Sequence, residues 1–175
     1  MIATLQDNGE ERFPIVDPEG QIIGHATRRE CHSGSMLLHP VVHLHVLNSK
    51  GELYLQKRPE WKDIQPGRWD TAVGGHIDLG ENVEQALKRE AQEELGLTDF
   101  SPTLVTHYVF ESPRERELVF VHRTVYDGPV TPSAETAGGR FWTMQEIRKA
   151  MGKGVLTPNF EQEFERVFGH SDNQQ

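Results

Sequence analysis

One segment constrains this chain more than any other: residues 75–97, GHIDLGENVEQALKREAQEELGL. Apolar residues recur at helical spacing from Val83 onward, and Gly96 supplies a left-handed stop, so the spacing predicts a helix over 82–96. With Val83 at zero and about 100° per residue, Ala86 falls at about 300°, Leu87 at about 40°, Ala91 at about 80° and Leu95 at about 120°. These mark the inward arc. Glu84, Gln85, Lys88, Arg89 and Gln92 occupy the outward arc. Glu90 falls at about 340° and Glu94 at about 20°, inside the apolar arc, with Glu93 on its flank at about 280°. A solvated acidic face is the usual explanation of a Glu-rich helix, and here that face lies elsewhere. Inward carboxylates side by side repel and lose hydration unless a cation neutralises them. A divalent cation with oxygen ligands does this well. Arg89 and Glu93 are i,i+4 partners, and Glu81 can reach Arg89 at the helix start, so Arg89 is read as an orienting residue.

Around this helix the chain alternates strands with a few helices. PIVDPEGQIIGHATR reads as a hairpin turning at Pro18, Glu19 and Gly20. Residues 38–58 read as a second hairpin turning at 48–51, and residues 59–69 as loop. A short strand at 71–73 precedes Gly74 and Gly75. Residues 104–110 and 117–126 pair as strands, 141–142 ends a strand before a helix near 143–151, and a last helix spans 159–167. Phe160, Phe164, Val167 and Phe168 share one side of that last helix. The pattern predicts an α/β fold with a mixed sheet covered by helices. Residues 1–12 and 170–175 are polar and expected to be flexible.

A chain of 175 residues fits one domain, and no repeat or low-complexity linker divides it. The net charge of −9 disfavours nonspecific binding to nucleic acid or anionic membranes, so a phosphorylated substrate would need local cations or metal ions. Cys31 is the sole cysteine, which suits a reducing cytosol. No signal peptide or apolar run of roughly 18 residues is visible, and a cytoplasmic protein is expected.

The segment 75–97 resembles the Nudix box, G-x5-E-x7-R-E-U-x-E-E-x-G-U, where U is a bulky apolar residue. Gly75, Glu81, Arg89, Glu90, Glu93, Glu94, Gly96 and Leu97 fit, and Ala91 is a smaller apolar residue than the pattern prefers. The resemblance implies one Nudix domain over 1–175, an α/β/α sandwich with the box as loop, helix and loop. It implies hydrolysis of a nucleoside diphosphate linked to another group. Glu90 and Glu94 would hold Mg²⁺ or Mn²⁺, with Glu93 a further ligand or base. Gly75, Glu81, Arg89 and Gly96 would be structural. Nudix enzymes often place a late acidic residue before a strand end, and Glu135 stands there. A homodimer is the family expectation.

Residues 32–96 are also similar to the bacterial isopentenyl-diphosphate isomerases, a branch of the same fold. His32 and His39 match a His-x6-His spacing, His76 matches a third metal-binding histidine, and Glu115 and Glu117 match two metal-binding glutamates. That likeness implies a second divalent metal, Zn²⁺, Mn²⁺ or Mg²⁺, and diphosphate contacts from Arg58 and Lys62. The departures are at Gly74, where the isomerase carries its catalytic cysteine, at Asn159, where it carries a pocket tryptophan, and at Glu90, where it carries arginine. Moving a double bond needs an acid and a base on opposite faces, and losing the thiol removes one. The chain thus reads as isomerase-like in framework and hydrolase-like in chemistry. The competing functions are an isomerase of isopentenyl diphosphate and a non-catalytic, nucleotide-sensing Nudix domain. His43 and His45 share strand parity with His39, so one of them can approach the site, but the favoured reading is of ordinary strand histidines; Trp61 and Trp69 could stack on a base, but the favoured reading is of packing residues.

Overall fold

The computed structural model describes residues 9–169. The strands are β1 (Arg12–Val16), β2 (Ile22–Thr27), β3 (Leu38–Leu47), β4 (Leu53–Lys57), β5 (Trp69–Thr71), β6 (Val73–His76), β7 (Thr103–Glu111), β8 (Arg116–Val125) and β9 (Gly139–Trp142). The helices are α1 (Arg28–Cys31), α2 (Val83–Leu95), α3 (Met144–Ala150) and α4 (Pro158–Phe168). The expected hairpins form, and α2 begins and ends within one residue of its predicted bounds. The one-turn α1 was not expected. It follows Thr27, whose capping box with Glu30 satisfies the exposed amides of so short a helix.

The main sheet has seven strands, ordered β5-β4-β3-β8-β7, with β6 also pairing β3 and β9 pairing β4. β3 is its axis. It runs parallel to β8 over its whole length and antiparallel to β6 from Val41 to Leu44. This is the mixed sheet predicted. β1 and β2 form a separate two-stranded sheet.

Alternation along β3 divides the core into two layers. Val42, Leu44 and Val46 face α2 and pack with Ala86, Leu87, Ala91 and Leu95. On the other face Leu47, with Leu53 and Leu55, meets Phe160, Phe164 and Phe168 of α4. Asn82 caps α2 with Gln85, and Gly96 closes it at φ 71°, the left-handed turn expected of it. Of the ends expected to be flexible, residues 1–8 and 170–175 lie outside the described residues. Residues 9–12 are engaged: the Gly9 carbonyl accepts from the Arg29 amide, Glu11 pairs with Arg28, and Arg12 opens β1.

Candidate active site

A cleft of about 800 Å³ opens beside α2, lined among others by Glu90, Glu93, Glu94, His76, Arg58 and Glu135. The glycine pair of β6 shapes it. A Cβ at Gly75 would lie 2.2 Å from the Glu90 carboxyl carbon, and one at Gly74 would lie 3.2 Å from Cδ2 of His43. Successive strand residues point to opposite faces. Two glycines therefore thin β6 on both sides, and the carboxylates of α2 approach the sheet as no larger residue would allow.

Glu90 and Glu94 point inward, as the helical arithmetic predicts. Burial raises Glu90, against the pull of Arg89. Burial, and then contact with Glu90, pushes Glu94 well above the usual carboxylate range. The Glu94 carboxylate accepts from the Gly74 amide and, at 3.4 Å, from Gln56 Nε2, and neither donor carries a charge. Glu93 is more open, with 59% of its side chain exposed. Arg89 is the brace expected. Its Nε and Nη2 grip Glu81 at 2.7 and 2.9 Å, Nη2 also donates to the His76 carbonyl, and Nη1 donates to Glu90 at 3.0 Å. It thereby ties the start of α2 to the end of β6.

Adjoining the cleft, His32, His39, His76 and Glu115 offer four ligand atoms within 4.8 Å of one another. They come from the C-cap of α1, from β3, from β6 and from the β7–β8 turn. His32 Nε2 lies 3.3 Å from His76 Nε2 and 3.1 Å from Glu115 Oε1, and His39 Nε2 lies 3.5 Å from the same oxygen. Tetrahedral ligands at zinc–nitrogen bond lengths stand about 3.3 Å apart. His39 Nδ1 sits 3.0 Å from the Leu37 carbonyl, which fixes its hydrogen there and leaves Nε2 a bare acceptor. His39 Nε2 and Glu115 Oε1 are buried without a hydrogen-bond partner, so a cation fits the donor set. Phe13 stacks on His76 at 4.5 Å and closes the cluster from the β1–β2 side.

The protein's own charges strain to substitute for such a cation. Burial would lower His39, but the adjoining Cys31 and Glu115 side chains lift it to about 10. Burial and the nearby Arg28 and His39 charges hold His76 well below the usual imidazole range. Burial and the Glu115 charge push Glu117, 3.9 Å from His76, up to about 7.

Arg58 and Lys62 both line the cleft. Arg58 also braces its own loop, donating to the Ile64 carbonyl at 2.8 and 3.0 Å. Lys62 lies over the Trp61 ring. Trp61 corrects the reading of it as a packing residue: it is 70% exposed, because its loop runs outside the core, whereas Trp69 packs edge-on against Trp142. The amide of Glu135 donates to Ser133 Oγ, and the Ser133 amide donates to the Glu94 carbonyl, which holds this late loop against α2.

Sequence reasoning missed Glu163 and the side chains gathered on it. His43 and His45 are not ordinary strand histidines; both contact Glu163 of α4, at 2.8 and 2.6 Å. Tyr108 donates to the same carboxylate at 2.5 Å. A signal was present. With Phe160 at zero, Glu163 falls at about 300°, beside Val167 at about 340° and against the apolar arc.

The described residues contain no helix long and apolar enough to cross a membrane. The NUDIX domain model matches residues 37–160. An uncharacterised Nudix hydrolase of Listeria monocytogenes is 36% identical over 126 residues, 70% of this chain and 74% of that one. An isopentenyl-diphosphate Delta-isomerase of Clavibacter sepedonicus is 30% identical over 142 residues, 78% of this chain and 75% of that one. A crystal structure from Deinococcus radiodurans superposes with a TM-score of 0.76 at 23% identity, covering 90% of this chain and 99% of that one, a likeness of fold.

Proposed function

The chain belongs to the Nudix hydrolase family, and on that premise we propose that it cleaves the diphosphate linkage of a nucleoside diphosphate joined to another group. Mg²⁺ or Mn²⁺ would be held by Glu90 and Glu94, with Glu93 beside them. The observation that carries this reading is the raised, inward pair on α2, which has hydrogen-bond donors but too little positive charge for two buried carboxylates. When bound, a divalent cation there polarises the diphosphate and eases deprotonation of the attacking water. Arg89 keeps Glu90 in place, and Arg58 and Lys62 approach the diphosphate from the segment 58–68. The water oxygen bonds to phosphorus as the bridging P–O bond breaks, and the leaving phosphate takes the bond's electron pair. The water's proton passes to a carboxylate on the cleft wall, Glu93 or Glu135.

The cluster of His32, His39, His76 and Glu115, with Glu117 at its edge, is proposed to hold a second divalent metal. Three imidazole ligands favour a transition metal. This cluster is also what favours an isomerase acting on isopentenyl diphosphate. Against that stands Gly74, which leaves the cleft without a thiol, since the sole cysteine, Cys31, is buried and does not line it.

The test is to incubate the protein and Mg²⁺ or Mn²⁺ with nucleoside diphosphate sugars, dinucleoside polyphosphates, nucleoside triphosphates and isopentenyl diphosphate. Release of phosphate or nucleotide that disappears in Glu94→Gln is expected. Double-bond migration without hydrolysis would overturn the reading, and binding without turnover across the panel would make the domain a sensor.

A further inference from the structure

The cleft wall opposite α2 carries a group that the proposed chemistry does not use. His43 lies on β3, in register with Gly74 of β6. Its side chain is 23% exposed and lines the cleft. A Cβ at residue 74 would stand 3.5 Å from its Nε2, so the glycine leaves that edge of the ring open.

The other edge fixes the ring's hydrogens. Nδ1 is 2.8 Å from Glu163 Oε1, the same carboxylate takes Tyr108 Oη and His45 Nε2, and an ionised carboxylate only accepts. Nδ1 of His43 therefore carries a hydrogen. Glu163 is 1% exposed, and a carboxylate so deeply buried is stable only beside a positive charge. Tyrosine supplies none. His45 is fully buried with no hydrogen-bond partner at Nδ1, so a second ring hydrogen there would be left unpaired. Arg166 stands over the Tyr108 ring, and among the described residues no ion pair joins it to Glu163. His43 is left as the balancing cation, and the Glu163 charge raises it despite the opposing effect of burial. Its Nε2 then carries a second hydrogen that finds no protein acceptor among the described residues.

We propose that His43 is an anion-contact residue: its Nε2–H, aimed into the cleft by Glu163, donates a hydrogen bond to a non-bridging oxygen of the bound diphosphate. This rests on the reading of the cleft as a diphosphate site. Arg58 and Lys62 reach the cleft from a loop, whereas His43 sits on the central strand with its ring clamped. A donor held this way costs little reorganisation when the anion arrives. The neighbouring carboxylates Glu117 and Asp70 face the same ring, so only an anion bringing its own metal cations would dock there.

The test uses imidodiphosphate, which resists hydrolysis, with Mg²⁺ and the full chain. His43→Asn places an amide near the Nδ1 position, keeping the Glu163 bond and losing the cleft-side donor. Calorimetry should show affinity falling about tenfold to a hundredfold, and the melting temperature should fall as well, because Glu163 loses its balancing charge. His43→Gln places its amide near the Nε2 position and should bind within about threefold of the native chain. In ¹⁵N-histidine spectra of the native protein, the His43 Nε2 resonance should shift when imidodiphosphate is added. Native affinity in His43→Asn, or a motionless Nε2 resonance while the ligand binds, overturns this inference and leaves the hydrolase reading standing. A native chain that fails to bind imidodiphosphate with either Mg²⁺ or Mn²⁺ removes both.

Discussion

α2 and α4 each bury glutamate against the same sheet, and they do so in opposite ways. On α4, Glu163 meets two imidazoles and a phenol, and both of its oxygens accept hydrogen bonds from within the protein. Burial would raise its pKa, yet the His43 charge and the hydrogen bonds from both histidines hold it well below the usual carboxylate range. On α2, Glu90 and Glu94 meet each other, and both are raised. A buried acid with its counter-charge built in is a structural tie. A buried pair without enough of it is a site for something that arrives with charge of its own.

The comparison can be broken from either side. The largest effect is expected from Glu94→Gln, which should cut hydrolysis on the order of a thousandfold while leaving the metal-free melting temperature equal or higher, because it relieves repulsion. A metal-free protein destabilised by this change would mean that Glu94 is a tie after all. Glu163→Ala should show the reverse balance. It strands His43, His45 and Tyr108, so denaturant unfolding should record a loss of about 3 kcal/mol whether or not Mg²⁺ is present.

Metal addition sharpens the contrast. Mn²⁺ at about a hundred times its dissociation constant should stabilise the native chain by about 2.7 kcal/mol, and Glu90→Gln should lose most of that gain at the α2 site. Arg89→Ala should lower activity by about tenfold to a hundredfold. It frees Glu90 and detaches Glu81 and the His76 carbonyl, so raising the Mg²⁺ concentration should recover part of the rate.

The smallest effect is in pH dependence without metal, where the two helices should differ in sign. Glu163, depressed from a carboxylate value of 4.5, contributes stability that is present above 4.5 and lost as pH falls toward its folded value. Its partner His43, raised from 6.5, contributes stability that is full below 6.5 and lost as pH rises through its folded value. Glu94 is raised, so it favours the folded state at low pH and costs stability as pH rises above 4.5. Unfolding curves should therefore show Glu163→Gln converging on the native chain toward low pH, and Glu94→Gln gaining on it toward neutral pH. Parallel curves would mean the two carboxylates sit in equivalent surroundings.

Much of this was legible from the residues. The turns at Gly20 and at 48–51 placed two hairpins, and Asn82 and Gly96 bounded α2, because such signals act over a few neighbours. The one-turn α1 is too short for any periodicity to register. His32, His39, His76 and Glu115 were suggested by a resemblance, and their convergence depends on four separate elements folding together. Glu163 was hidden for a related reason, since His43 and His45 are 120 and 118 residues away from it.

The spacing of apolar residues determined which carboxylates of α2 face inward, because helical geometry links residues three and four apart regardless of what surrounds them. The same arithmetic places Glu163 against the inward arc of α4, and there it stops. Only the tertiary structure decided that Glu163 is neutralised and the α2 pair is not. Desolvation and Coulomb energies depend on distances through space, and the glycine pair, the strand register and the helix docking set those distances.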